Sequence, residues 1–254
     1  MRSILVRLLL LVFCVPFGAL AQTITIGLAA DVTSIDPHFH VLGPNQNIAE
    51  HVFETLVAKD ARQRLKPGLA ESWRAIDDTT WEVKLRRGVK FHDGSDFTAE
   101  DVVFSLARPE TIKNSPSSFT VYTKAITGTQ VVDPLTMRLR TAAPYPLMPN
   151  DLSVVPMVSK KAATGASTED FNAGKAAVGT GPYKFVRWAK GDRIEIVRND
   201  PKRERLLQAA TEIAVGDLGI IPLYHQVNVW ATRKAIGYTP RTDERTYAFE
   251  LKPR

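Results

Sequence analysis

Five histidines, His38, His40, His51, His92 and His225, are the side chains best suited to metal or acid–base chemistry. One residue separates His38 from His40, and at this spacing two imidazoles can bind one metal ion. No acidic residue stands at a fixed metal-ligand spacing around them, so both are weak metal candidates. We expect no metal or other cofactor. A metal or metal-chelate carrier that uses His38, His40 and His225 stays open as an alternative.

The two remaining histidines have simpler interpretations. His51 is expected on the polar side of its helix, and His92 in a turn where its imidazole bonds the backbone. The sequence contains no G-x-S-x-G elbow, no H-E-x-x-H helix and no G-x-x-x-x-G-K-[ST] loop, so no enzyme activity is predicted. Gly179-Thr180-Gly181 is followed by a proline and a strand pattern, which favours a tight turn over a phosphate cradle.

Strand and helix patterns alternate along the chain. Residues 80–85 alternate polar and apolar, and residues 183–188 and 194–198 read as a hairpin. A helical pattern starts at Asn45, and Thr98 followed by two acids reads as a capped helix start. Asp200-Pro201 reads as another. These elements predict an α/β fold.

Composition and the first residues indicate an exported globular protein. The chain has 254 residues, 44% hydrophobic residues, one cysteine and a net charge of +6. Its positive charges are interspersed with acids, so no nucleic-acid partner is expected. A basic start, an apolar run over residues 8–20 and the sequence Ala-Leu-Ala predict a signal peptide over residues 1–21, cleaved after about Ala21. The predicted location is the periplasm.

Three long motifs carry a resemblance. Residues 65–73 (LKPGLAESW), 81–94 (WEVKLRRGVKFHDG) and 98–105 (TAEDVVFS) closely resemble the signature of family 5 extracytoplasmic solute-binding proteins. Members of this family are the peptide, oligopeptide, glutathione and nickel-binding components of ABC importers. Residues 178–185 (VGTGPYKF) and 221–224 (IPLY) match two further family motifs.

The resemblance implies a fold and a domain plan. The implied fold is lobe I of a class II periplasmic-binding-protein-like clamshell, with a mixed sheet and helices. Residues 22–199 would form lobe I, with a subdomain at about 45–160, and residues 200–254 would return to it. The family's second lobe has no counterpart, because the strand ending at 198 runs directly into the returning helix pattern.

The resemblance also implies a function. The chain would be the extracytoplasmic peptide- or solute-binding component of an ABC transporter that delivers ligand to a permease, impaired by the loss of the second lobe. The family's loop after the first strand offers backbone groups to an extended peptide. The matching positions, with two further cleft candidates, are Ala30, Asp31, Val32, Thr33, Thr180 and Tyr183. We expect a monomer, or a dimer if the open cleft face is apolar; a partner-dependent interaction module is a further alternative.

Overall fold

The computed structural model describes residues 24–28, 30–199, 213–214, 236–237, 247 and 252–253. The predicted signal peptide, the helix predicted from Asp200 and the IPLY motif therefore lie outside the described residues, as does His225. Within the described ranges, no helix combines the length and the apolar character needed to cross a membrane.

Strands and short helices alternate along the chain. The helices are α1 (Gly43–Val52), α2 (Ala99–Ala107), α3 (Thr120–Thr123), α4 (Met148–Asp151), α5 (Lys160–Ala163) and α6 (Thr168–Asn172), with a 3-10 turn at Arg108–Thr111. The strands are β1 (Ile24–Thr25), β2 (Val57–Lys59), β3 (Leu65–Pro67), β4 (Ala70–Asp77), β5 (Thr80–Leu85), β6 (Ile126–Asp133), β7 (Thr136–Thr141), β8 (Tyr183–Ala189), β9 (Arg193–Arg198), β10 (Ile213–Ala214), β11 (Ile236–Gly237) and β12 (Lys252–Pro253).

A four-stranded antiparallel sheet with the strand order β4-β5-β7-β6 is the largest sheet in the described part of the chain. Its inner face follows the predicted alternation: Val83 and Leu85 are buried, and Met137 and Leu139 join them from β7. These side chains form one hydrophobic cluster with residues of α2 and with Leu69, which directly precedes β4. The period-2 pattern therefore identified the strand β5, although Thr80 and Glu82 on its other face are also buried.

Helix α2 begins where the capping signal predicted. The carboxylate of Asp101 accepts hydrogen bonds from the backbone N–H of Thr98, at 2.9 Å, and from its hydroxyl, at 3.1 Å. The same carboxylate also accepts from the backbone N–H of Lys160 at 2.9 Å. Asp101 is buried, so this residue both caps α2 and ties the start of α5 to it.

A second hydrophobic cluster connects the loop after β1 with α1, α6 and the β8–β9 hairpin. It contains Val52, Phe53 and Phe171, and the hairpin packs Phe185 and Ile196 against it. The hairpin itself is confirmed, with Tyr183 paired to Arg198 at its open end. Strand β1 is shorter than the alternation over residues 23–28 predicts, since only Ile24–Thr25 pairs, with β10. This second cluster includes Val32, one of the predicted ligand-binding residues, and side chains of the hairpin that begins at Tyr183.

Candidate functional site

The loop after β1 is held at the first turn of α1 by one side chain. Asn45 accepts a hydrogen bond from the backbone N–H of Thr33 at Oδ1, with a distance of 3.1 Å. Its Nδ2 group donates to the Thr33 hydroxyl at 3.0 Å and to the backbone carbonyl of Ser34 at 3.2 Å. Asn45 is buried, so these bonds are shielded from water. The end of the loop is thereby fixed.

A second asparagine anchors the following residues from α6. The Oδ1 atom of Asn172 accepts hydrogen bonds from the backbone N–H of Ile35, at 2.8 Å, and from the hydroxyl of Ser34, at 3.0 Å. Ser34 and Ile35 are both buried. The chain after Thr33 is therefore clamped between α1 and α6, and the residues before Thr33 project from a rigid base.

The backbone of Ala30, Asp31 and Val32 makes no hydrogen bond within the described part of the chain. Ala30 and Asp31 are exposed, whereas the Val32 side chain is buried in the second cluster. The segment is not part of a strand or helix. Its amide and carbonyl groups are available to an added extended chain, as in β-augmentation.

A buried ion pair lies directly behind this loop. The two guanidinium Nη atoms of Arg108 donate to the two carboxylate oxygens of Asp36, at 2.7 and 2.8 Å. Thr168 donates its hydroxyl proton to Asp36 at 2.9 Å, and the Phe171 ring lies 4.3 Å from the Arg108 guanidinium carbon. Burial opposes ionisation of Asp36, but the hydrogen bonds and charge of Arg108 hold its pKa below the ordinary value.

His38 belongs to the same buried network. Its Nδ1 atom faces an Arg108 Nη donor at 3.2 Å, and its Nε2 atom lies 2.7 Å from the carbonyl of Pro156. Arg108 can only donate, so Nδ1 accepts and Nε2 carries the proton. Burial, with the charge of Arg108, lowers the pKa of His38 to about 4. His38 is thus neutral, and a metal at either nitrogen would displace one of these bonds.

His40 lies apart from that network. Its Nδ1 atom is 2.9 Å from the hydroxyl of Thr33. No group of three or more histidine, cysteine or acidic side chains able to hold a metal occurs among the described residues. His38 and His40 therefore belong to no such group, and nothing in the described geometry favours the metal-carrier alternative.

The Gly179-Thr180-Gly181 turn lies against the C-terminal end of α1. A methyl group on Gly179 would overlap the carbonyl of Val52, and one on Gly181 would come within 2.6 Å of the His51 carbonyl oxygen. Both glycines are needed for this close approach. His92 fixes the turn from the other side: Nε2 donates to the Gly181 carbonyl at 2.8 Å, and Nδ1 accepts from the Gly179 N–H at 3.3 Å. The predicted backbone role of His92 is confirmed.

Thr180, between these glycines, has an unusual hydroxyl. Its Oγ1 atom is buried and has no hydrogen-bond partner within the described part of the chain. A buried polar group without a partner costs about 1–3 kcal/mol. This hydroxyl would gain a hydrogen-bond partner if a ligand atom or a water molecule reached it.

Tyr183 lies beside the same helix end. Its ring centroid is 5.6 Å from that of His51, and the ring of Tyr247 approaches His51 at 5.7 Å. His51 is only 2% exposed, so its predicted position on the polar side of α1 is wrong. Its Nδ1–H bonds the carbonyl of Asn47 at 2.7 Å, which satisfies the imidazole inside the protein. Burial lowers the pKa of His51.

The six predicted site residues therefore fall into two groups along α1. Ala30, Asp31, Val32 and Thr33 adjoin its first turn through Asn45, and Thr180 and Tyr183 adjoin its last turn. Val52 lies seven positions after Asn45, which corresponds to about 10 Å along the helix axis. This length equals about three residues of an extended peptide.

The sequence does not predict the residues that support the site. It places Asn45 only at the start of a helical pattern and gives no signal for Asp36, Arg108 or Asn172. Their partners lie far away in sequence: Arg108 is 72 positions from Asp36, and Asn172 is 137 from Ile35. The one available signal was polar Asn45 in the first helical turn. It did not reveal the loop that Asn45 holds.

Comparisons with known proteins agree with this architecture. The family model for bacterial extracellular solute-binding proteins, family 5 (middle), matches residues 64–205. The glutathione-binding protein GsiB of Escherichia coli (strain K12) is 31% identical over 179 residues, which are 69% of this chain and 34% of GsiB.

Solved structures give the same result in three dimensions. NikZ from Campylobacter jejuni, solved in complex with Ni(L-His), superposes with a TM-score of 0.62 at 31% identity, over 70% of this chain and 36% of NikZ. OppA of Burkholderia pseudomallei also has a TM-score of 0.62, at 26% identity, over 68% of this chain and 37% of OppA. The predicted α/β periplasmic-binding-protein-like fold is confirmed.

The chain spans about a third of the length of these relatives. The matched region nevertheless covers more than half of this chain, since the family model alone accounts for residues 64–205. The chain belongs to the bacterial extracellular solute-binding proteins of family 5.

Proposed function

We propose that this chain forms one wall of a solute-binding cleft in the binding component of an ABC importer. It binds an extended peptide or a similar small solute without chemical change and presents it to the permease in the cytoplasmic membrane. Of the relatives named above, GsiB is a glutathione-binding protein and NikZ was solved in complex with Ni(L-His), which supports a small-solute role. The family's extracellular character supports a location outside the cytoplasmic membrane. We place this chain in the periplasm and propose that residues 1–21 are a signal peptide removed on export.

The observation that carries this proposal is the unpaired backbone of Ala30, Asp31 and Val32. Three successive residues present free amide and carbonyl groups, while Asn45 and Asn172 fix the chain immediately after them. A segment whose end is already fixed loses less conformational entropy when a peptide pairs with it. Main-chain pairing also explains how such a wall accepts peptides of different sequence.

Thr180 and Tyr183 extend this wall towards the other end of α1. The orphan hydroxyl of Thr180 supplies one donor and one acceptor for a solute, and the Tyr183 ring adds an apolar surface. We propose that residues 30–33 hold the backbone of the solute and that Thr180 contacts its far end.

The affinity of the isolated chain should be low. The chain spans about a third of its relatives, and we propose that the opposing lobe of the cleft is the part without a counterpart. A clamshell protein gains affinity by closing two lobes on its ligand, so one wall alone gives millimolar binding rather than tight capture.

The test is a nuclear magnetic resonance titration of the purified chain with a library of di- to pentapeptides. We expect saturable shifts of the backbone amides of Ala30, Asp31 and Val32 at millimolar peptide. Asn45→Ala should weaken these shifts, because it releases Thr33 and Ser34 from α1.

The matched control is Lys160→Ala, which removes only an exposed ion pair with Glu100. It should bind peptide like the unmodified chain. Peptide-induced shifts confined to other surfaces would overturn the assignment of the site. Submicromolar binding by the monomeric chain would overturn the claim that a missing wall limits affinity.

A further inference from the structure

Strand β6 is one of the two edges of the four-stranded sheet, and its outer side is open. The strand order β4-β5-β7-β6 pairs β6 only with β7. Apart from the pairing with β7, no backbone hydrogen bond joins residues 126–133 to another segment within the described part of the chain. Its outer row of amide and carbonyl groups is therefore free to pair with another strand.

The composition of β6 favours such pairing. The strand reads ITGTQVVD, with no charged residue and no proline between Ile126 and Val132. Val131 and Val132 are 38% and 46% exposed, on opposite faces of the strand. Edge strands of monomeric proteins are usually protected by charges, prolines, β-bulges or very short length. Strand β6 has two register irregularities, but no charge and no proline over residues 126–132.

The opposite edge of the same sheet shows that protection. Strand β4 carries Glu71, Arg74 and Asp77, all exposed. The two edge strands belong to the same sheet and have eight residues each. Their charged residues are nevertheless concentrated on the β4 edge. Only β6 is suited to contact with a second strand.

We propose that β6 pairs antiparallel with β6 of a second copy of this chain about a two-fold axis, which joins the two sheets into one. A two-fold axis perpendicular to the sheet places one residue opposite itself. Centred on Thr129, the pairing sets Val131 against Thr127 and Val132 against Ile126 of the second copy. Each of these cross-strand pairs contains at least one β-branched or aliphatic side chain of the kind that stabilises sheets.

The charges at the two ends of β6 fit the same arrangement. Lys124 lies just before the strand and Asp133 at its end. In the antiparallel pair centred on Thr129, Asp133 stands opposite Ala125, the neighbour of Lys124 in sequence, so the opposite charges lie at the same end of the joined strands. A parallel pair would place like charges together, which disfavours it. The two irregularities in the β6–β7 register flank residues 128–131, and this regular stretch contains the proposed centre.

The first test is sedimentation equilibrium of the full chain over a wide range of concentrations. We expect an average mass that rises towards twice the monomer value and does not go beyond it. Thr129→Lys should remain monomeric at every concentration, because it places two like charges face to face at the two-fold axis. Ser72→Lys, an exposed change on the β4 edge, should behave like the unmodified chain.

A second measurement does not depend on disrupting the strand. The only cysteine of the sequence is Cys14, so a Cys14→Ser background permits a single-cysteine probe. Thr129→Cys should form an intermolecular disulfide under mild oxidation, since facing Cβ atoms across a two-fold axis come within reach of a disulfide. Ser72→Cys should not. A strictly monomeric chain, assemblies larger than two copies, or equal cross-linking of both cysteine variants would overturn the proposal.

Discussion

Arg108 holds Asp36 through two hydrogen bonds of 2.7 and 2.8 Å in a place where the two side chains are 3% and 0% exposed. This ion pair joins the loop after β1 to the end of α2. Asp36 also accepts from Thr168 of α6 and from the backbone N–H of His38. One carboxylate thus organises three segments around the base of the proposed solute-binding loop.

Removing one partner of this ion pair should lower the free energy of unfolding. Arg108→Ala leaves the Asp36 carboxylate buried without its counter-charge, and such losses destabilise proteins by about 3–5 kcal/mol. We expect a decrease of this size in the free energy of unfolding, measured by urea denaturation. Lys160→Ala, which breaks an exposed pair with Glu100, should change stability by less than about 1 kcal/mol. Equal effects of the two variants would contradict the central role of Asp36.

The buried His38 should make stability depend on pH. Its pKa is about 4 in the folded chain, against 6.5 for an ordinary histidine, because burial and Arg108 oppose its protonation. Between these values the unfolded chain binds the extra proton, so stability falls as pH decreases from about 6.5 to about 4. The full loss is about 3 kcal/mol, from 1.36 kcal/mol per pKa unit.

His51 and His92 also have lowered pKa values and act in the same direction. The contribution of His38 is therefore the difference in pH-dependent stability between the unmodified chain and His38→Gln. The glutamine amide can still bond the carbonyl of Pro156, but it does not titrate. We expect urea denaturation at several pH values to give a shallower slope for His38→Gln below pH 6.5. Parallel slopes would show that His38 does not titrate on unfolding.

Local patterns predicted the strand β5, the β8–β9 hairpin and the start of α2, because each depends on residues a few positions apart. No pattern predicted the edge strands β4 and β6 of the four-stranded sheet. The burial of His51 escaped prediction because it depends on Tyr183 and Tyr247, which only the tertiary fold brings close. Likewise, the family resemblance predicted that the backbone of residues 30–32 binds ligand, whereas its anchors, Asn45 and Asn172, were identified only in the structure.

The glycine turn provides a steric test of the packing at the end of α1. Gly181→Ala puts a methyl group 2.6 Å from the His51 carbonyl oxygen, a backbone atom that cannot move without shifting α1. Overpacking of this kind costs about 1–3 kcal/mol. Thermal unfolding should show a lower midpoint than for the unmodified chain. Gly43→Ala, where a methyl group meets nothing within 4 Å, should have an unchanged or higher midpoint.

The last prediction separates a ligand contact from a structural role at Thr180. Its buried hydroxyl has no partner within the described part of the chain, so Thr180→Val removes a polar group that the folded chain does not satisfy. Stability should stay equal or rise, because the desolvation cost of an unpaired hydroxyl disappears. If Thr180 contacts the solute, peptide affinity should fall by roughly two- to tenfold, the worth of one hydrogen bond.

Thr123 offers a matched control for this experiment. Its hydroxyl is also buried without a partner within the described residues, but it lies in α3, away from the end of α1. Thr123→Val should therefore change stability in the same direction as Thr180→Val and leave peptide affinity unchanged. Urea denaturation and peptide titration of the two variants distinguish the cases, since a purely structural Thr180 would leave affinity unaltered in both.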